Sequence, residues 1–282
     1  LGTPRVYKFF QRIITEVITY REKNNVSRAD YLQHLINLKK KGSIDADKDI
    51  SNGHEHREFD SEQNRFTDVD IYAQASTFFA DGYETSSGAM AFGLYCLAVN
   101  PDVQAKVRDE VDSVLKKHDG QLTFDAIQEM TYLDMALSEA LRMYPPAMAM
   151  IKLCTKPFKL PTPSGGTYEV EVGTPVVLPL YAIHCDPQHF PDPKRYDPER
   201  FSEGNKQSRH RYSYLPFGEG PRMCLGFRFA LMQVKAGIAT VINRFRLLPN
   251  KRTPVPVKPD PNYFMFAAKG GLWLDFEKRT DK

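Results

Sequence analysis

The sequence predicts a mainly α-helical protein with a small β-sheet (an α+β fold), residues 1–282 forming part of a single domain, and three observations carry that prediction. Apolar residues recur at helical spacing near both ends of the chain, in Phe9, Phe10, Ile13, Ile14 and Val17 and again in Phe227, Ala230, Leu231, Val234, Ile238 and Val241. Between residues 67 and 99 the chain is apolar on several faces at once, which is the pattern of a long buried helix. Strand-like alternation is confined to the stretch from Lys152 to Leu180 and breaks at Pro163-Ser164-Gly165-Gly166.

The elements follow in order. Residues 1–41 read as a helix pair, the second helix running from about Arg28 to Lys41 and ending in Lys39-Lys40-Lys41-Gly42, a basic last turn followed by glycine. Residues 42–66 are polar and aperiodic, a solvated loop. Within it His54 and His56, flanked by Glu55 and Glu58 with no cysteine nearby, read as surface residues rather than a metal pair. Thr67-x-x-Asp70 has the form of a capping box and opens the long helix of residues 67–99. Residues 100–149 hold further helices: Asn100-Pro101 offers an N-cap and a proline at the first helical position, and a last helix stops at Pro145-Pro146 with Glu139 and Arg142 on one face. A small sheet is expected over residues 150–182. Extended coil follows over 183–216, where prolines exclude a long helix and His184 reads as a hydrogen-bonded structural histidine. Residues 217–246 form a cysteine loop and a helix, and residues 247–282 a C-terminal hairpin in which Phe264 and Met265 are candidates to touch a substrate.

Composition narrows the class. With 38 basic against 35 acidic residues in 282, the chain carries no charge excess that implies nucleic acid. Its four cysteines, Cys96, Cys154, Cys185 and Cys224, show neither CxxC nor finger spacing and read as reduced thiols on the cytosolic side. No apolar run reaches the roughly 18 residues that span a bilayer. The chain starts at Leu1 and enters a helical pattern at once, as a fragment would.

The most informative segment is Phe217-Gly218-Glu219-Gly220-Pro221-Arg222-Met223-Cys224-Leu225-Gly226. Two glycines and a proline force a tight turn and leave backbone N–H groups free to point at a sulfur. With a helix beginning just after it, Cys224 sits near a helix N-terminus, where the dipole favours thiolate over thiol. That makes Cys224 a metal-ligand candidate. A second anomaly lies inside the long helix, where Ala80-Asp81-Gly82-Tyr83-Glu84-Thr85-Ser86 puts glycine, carboxylates and hydroxyls where Leu or Ala belongs. Residues three and four apart share a face, so Asp81, Glu84 and Thr85 can approach one neighbour, and Gly82 admits close approach or local widening of the helix.

Phe217-x-x-Gly220-x-Arg222-x-Cys224-x-Gly226 resembles the signature of the cytochrome P450 family; five fixed positions arise by accident in such a chain with probability on the order of 10⁻⁴. Whole members of the family are nearly twice as long, so the resemblance covers the C-terminal part of the usual fold. The portion before it is expected to hold the membrane anchor, much of the substrate pocket and some haem contacts. The resemblance implies haem b with Cys224 as axial thiolate and metal ligand, cradled by Phe217, Gly218, Gly220, Arg222 and Gly226. Arg222 is the propionate candidate, with Lys152 a second at a place where the family carries arginine; lysine keeps the charge but loses the bidentate fork. On the long helix the family pattern Ala/Gly-Gly-x-Asp/Glu-Thr is met by Gly82, Glu84 and Thr85, which implies Thr85 steering protons and Glu84 in the proton supply. Asp81 departs from it, since a small apolar residue is usual there. It can join the relay, contact a basic substrate or cap a backbone group. Glu139-x-x-Arg142 upstream of Pro198-Glu199-Arg200-Phe201 implies a buried cluster of Glu139, Arg142 and Arg200.

By the same resemblance, which is nearest to insect detoxification members, the activity is monooxygenation of a lipophilic small molecule at the cytosolic face of the endoplasmic reticulum membrane. Electrons come from an NADPH-dependent flavoprotein reductase, with cytochrome b5 as an optional second donor and no nucleic acid involved. Five basic residues between Glu203 and Arg228, namely Lys206, Arg209, Arg211, Arg222 and Arg228, can offer an acidic donor a docking face. Two other readings stay open: a haem-thiolate isomerase or dehydratase that consumes no dioxygen, against which Glu84 and Thr85 stand, and a catalytically silent fragment.

Overall fold

The computed structural model describes residues 3–41 and 66–280. The polar loop expected at 42–66, with His54 and His56, lies outside the described residues but for Phe66. Contacts divide the chain into two compact units, Leu1–Tyr83 and Glu84–Lys282.

In the first unit α1 (Pro4–Lys23) opens with proline at its first position and carries Arg21 and Lys23 in its last turn, both suited to the helix ends they occupy. The second helix, α2 (Tyr31–Lys41), starts later than the periodicity suggests because Asp30 ends the preceding coil: its Oδ1 accepts the Gln33 N–H at 2.9 Å. The other duty of Asp30 is to bind the buried Arg21 guanidinium at 2.8 and 2.5 Å, which holds the carboxyl down to about 2. Ile14, Leu35 and Ile71 form the core of this unit. The long helix α3 (Asp68–Val99) begins with the reciprocal bonds of a capping box, Thr67 N–H to Asp70 Oδ2 at 2.7 Å and Asp70 N–H to Thr67 Oγ1 at 3.4 Å. It runs without a break, so Gly82 produces no local widening, and a Cβ there would meet nothing within 4 Å.

In the second unit the remainder of α3 packs with α4 (Pro101–Lys117), α5 (Phe124–Glu129), α6 (Thr131–Met143) and α9 (Phe227–Arg244) around Val107, Val111, Leu133, Leu137, Val234, Ile238 and Ile242, all buried. Asn100 holds the N-cap position of α4 but caps the other helix: its Nδ2 donates to the Cys96 carbonyl at 2.8 Å, closing the C-terminus of α3. The crossing of α3 and α9 is close enough to need glycine on both sides. A Cβ on Gly93 would lie 2.7 Å from Ile238 Cδ1, and one on Gly237 would strike Met90.

The expected single small sheet is two separate antiparallel pairs. One joins β1 (Met150–Leu153) to β4 (Pro175–Leu178), the other β2 (Phe158–Pro161) to β3 (Thr167–Val170), with the Pro-Ser-Gly-Gly turn between the latter. Short helices α7 (Leu180–His184) and α8 (Glu203–Ser208) and two single 3₁₀ turns interrupt the coil of residues 183–216. At the C-terminus β5 (Phe245–Pro249) pairs with β6 (Leu274–Lys278), and the excursion between them carries one bridge, Pro259 to Ala268. No helix among the described residues is long and apolar enough to cross a membrane.

Candidate active site

One cavity of about 330 Å³ in the second unit is lined by Thr85 and Ser86 of α3 and by Phe217, Gly218, Arg222 and Cys224 of the cysteine loop. Leu137 and Leu141 of α6, Met150, Leu180, Leu231, Val234 and Met265 complete walls that are almost wholly apolar. The loop owes its shape to its sequence. Gly218 and Gly220 take positive φ, 73° and 79°, which a side chain resists, and the Cys224 amide folds back to donate to the Phe217 carbonyl at 2.8 Å. Among the described residues the next two amides, Leu225 and Gly226, donate to no carbonyl, as the tight turn led us to expect. Gly226 is the N-cap of α9, so Cys224 stands just ahead of that helix, its thiol exposed.

Two polar side chains at this cavity lack protein partners among the described residues. Arg222 makes no hydrogen bond or ion pair with another described residue, although it lines an apolar wall. Ser86 is 2 % exposed, and its Oγ has no partner, in a setting where buried hydroxyls are normally satisfied. The sequence reading noted Ser86 among the hydroxyls of residues 80–86 but gave it no role; a hydroxyl directly after Thr85 inside a buried helix was the available signal. A thiol, an unpaired guanidinium and apolar walls suit an apolar, anionic, metal-bearing ligand such as haem: sulfur for iron, the cation for a carboxylate and the walls for the ring.

Other expected site residues are dispersed. Glu84 follows the helix around by about 100° from Thr85 and lines a different cavity, with Ser87, Phe92, Asp260 and Tyr263. Asp81 is exposed on α3. Lys152 is exposed on β1, two residues beyond the cavity-lining Met150 on the same strand face, and does not reach the cavity wall. Phe264 is 85 % exposed while its neighbour Met265 faces the cavity. The basic stretch before α9 is less free than its composition suggests. Arg209 stacks on Phe190, Phe201 and Tyr214 at 5.0, 4.6 and 5.8 Å from their ring centres, and Arg211 pairs with Glu219 at 3.4 Å.

Behind the cavity α6 turns its other face into a closed knot. Arg142 Nε and Nη2 bind the two Glu139 oxygens at 2.7 and 2.8 Å, both side chains fully buried. Arg142 Nη1 and Nη2 also donate to the carbonyls of His184 and Pro193, each at 2.8 Å. Glu139 Oε1 also takes the Asp197 N–H at 3.1 Å and lies 3.3 Å from Arg200 Nε.

Fold and site together define a helical protein whose apolar cavity carries a cysteine thiol and an arginine on its wall. The family described as Cytochrome P450 matches residues 3–274. The chain is 40 % identical over 275 residues to "Cytochrome P450 9e2" of Blattella germanica, covering 98 % of the chain and 50 % of that relative. It is 38 % identical over 279 residues to "Cytochrome P450 6k1" of the same organism (99 % and 53 %) and 37 % identical over 277 residues to "Probable cytochrome P450 6a13" of Drosophila melanogaster (98 % and 52 %). The chain belongs to the cytochrome P450 family, and it spans about half the length of the curated relatives it matches.

Proposed function

We propose that this chain is the C-terminal part of a haem-thiolate monooxygenase that inserts one atom of dioxygen into a lipophilic small molecule, with electrons from NADPH through a flavoprotein reductase on the cytosolic face of the endoplasmic reticulum. The observation that supports it is that Cys224, Arg222 and Thr85 share one apolar cavity. Haem held by a cysteine thiolate supplies oxygen activation, the sulfur donating electron density that favours O–O cleavage. In this chain Cys224 would hold the iron and Arg222 a propionate, while the amides of Leu225 and Gly226 are available to steady the sulfur. Phe217, Leu137, Leu141, Leu180 and Val234 exclude water and suit an apolar substrate. Thr85 presents a hydroxyl that can hold or pass a proton inside the cavity, with the Ser86 hydroxyl beside it. Glu84, which lines the neighbouring cavity, would supply protons from that side.

The test is oxygen incorporation. The full-length protein, its reductase, NADPH and a lipophilic substrate under ¹⁸O-labelled dioxygen are expected to give product carrying one labelled oxygen. Conversion that leaves the label out of the product while consuming no NADPH would overturn the reading and favour an isomerase.

A further inference from the structure

His184 stands between the two regions just described and binds to both. Its carbonyl accepts Arg142 Nη1 at 2.8 Å, and its ring Nε2 accepts the Leu215 N–H at 2.9 Å. Leu215 is the residue before Pro216 and Phe217, where the cysteine loop enters the cavity wall, and the Leu215 carbonyl accepts the Gly218 N–H at 3.1 Å. Phe217 in turn receives the Cys224 amide. A continuous run of hydrogen bonds and short covalent steps thus leads from the Glu139–Arg142 pair through one imidazole to the approach of the thiol.

The ring is fully buried, and only one of its nitrogens is used. Nε2 accepts, so in the neutral ring the proton sits on Nδ1, and Nδ1 has no partner. A residue kept for packing alone would not need an orphaned buried N–H. The groups acting on the ring are Arg142 from α6 and Arg209 from the coil, with the Tyr214 ring centre 5.4 Å away and Cys185 beside it in the chain.

We propose that His184 is a positioning residue for the Cys224 loop, its imidazole Nε2 serving as the acceptor that fixes the Leu215 backbone and so the entry angle of the loop. The proposal rests on the haem-thiolate reading of that loop. It makes the loop's anchorage sensitive to acid through a simple conflict. Adding a proton to Nε2 turns the acceptor into a donor that faces another donor, and the bond to Leu215 cannot persist. Burial first and the Arg142 charge second resist that protonation, lowering the ring's pKa to about 4. When the loop opens and the ring is wetted, its pKa returns to about 6.5. Opening therefore takes up a proton between these values and grows easier as pH falls, with the anchorage at full strength above about pH 6.5.

The experiment is amide hydrogen exchange of the backbone around Leu215 in the full-length, haem-loaded protein, corrected for the intrinsic pH dependence of exchange. Protection is expected to fall roughly thirtyfold from pH 8 to pH 5, the ratio that follows from a group of pKa about 4 when held and about 6.5 when released. His184→Gln places a carbonyl oxygen where Nε2 stands and cannot protonate in this range, so its protection is expected to stay flat and its thiolate-type haem spectrum to survive to lower pH. His184→Leu is expected to lose protection at every pH. Parent and Gln variant sharing one pH profile would overturn the proposal. If the Gln variant does not fold, the parent still decides: flat protection from pH 8 to pH 5 overturns it. A parent that never shows a thiolate-ligated haem sinks the function proposed above but leaves this backbone readout intact.

Discussion

The knot around Glu139 and Arg142 and the loop around Cys224 both place polar groups against an apolar interior, and they treat them in opposite ways. In the knot four of the five N–H donors of Arg142 meet a carboxylate or carbonyl within 2.8 Å. In the loop and the helix across the cavity, the Cys224 thiol is exposed, and among the described residues Arg222 and the Ser86 hydroxyl meet no partner. Saturated polar groups stabilise a fold; unsatisfied ones beside a cavity mark where something else binds. Substitutions in the two regions should therefore separate stability from chemistry.

The largest effect is expected in the knot. Glu139→Ala or Arg142→Ala leaves one fully buried charge unmatched, at a cost of about 3 to 5 kcal/mol, a large share of typical domain stability. Neither variant of the full-length protein is expected to yield folded, haem-loaded material; normal haem content and thermal midpoint in either would show the knot to be dispensable. Thr85→Ala comes next and works on the other axis. Haem content should stay intact while product per NADPH drops and hydrogen peroxide makes up the balance, and unchanged coupling would remove Thr85 from the chemistry.

Ser86→Ala should move stability upward. It deletes a buried hydroxyl with no partner, so the thermal midpoint of haem-free protein is expected to rise, by about 1 kcal/mol in stability. A fall of that size would mean that the hydroxyl is satisfied after all. Asp81→Ala should leave stability level or slightly higher, since alanine is the best helix former. Slower turnover of basic and neutral substrates alike would point to proton supply, and loss confined to basic substrates to a contact with their charge. No change in either would leave Asp81 a backbone cap.

The smallest expected effect is in the first unit. Arg21 and its hydrogen bond hold Asp30 at about 2, against about 3.9 when released, so this pair contributes stability above pH 4 that is lost as pH falls through 2. Asp30 is 40 % exposed, which keeps the contribution within about 1 kcal/mol. Asp30→Asn should flatten acid unfolding of this unit across that window, and an unchanged acid limb would show the pair to be energetically silent.

What the sequence showed and what it hid follow the range of the interactions. The capping box at Thr67 and Asp70 and the apolar stripe of α9 are local codes, and both elements stand where they were expected. The signature from Phe217 to Gly226 is a local code as well, because its turn depends on glycines within the turn. The separation of β1–β4 from β2–β3 depends on pairings across the chain that no window of residues contains. Asn100 stands at the expected N-cap position of α4, but its amide has two helix ends within reach and bonds to the earlier one. Lys152 and Glu84 were placed by motif, which gives a residue's position but not its direction. Lys152 lies two residues along the strand from the cavity-lining Met150, and Glu84 one helical step around from Thr85, and neither is on the cavity wall.

The central claim is that Cys224 is a haem-iron ligand, and the carbon-monoxide difference spectrum of the reduced full-length protein tests it most directly. The parent is expected to absorb at about 450 nm, since thiolate donation shifts the haem band, and Cys224→Ser to lose that band while remaining folded, because the thiol it replaces is exposed. A Cys224→Ser protein that keeps the band would show that another residue holds the iron and would contradict the account.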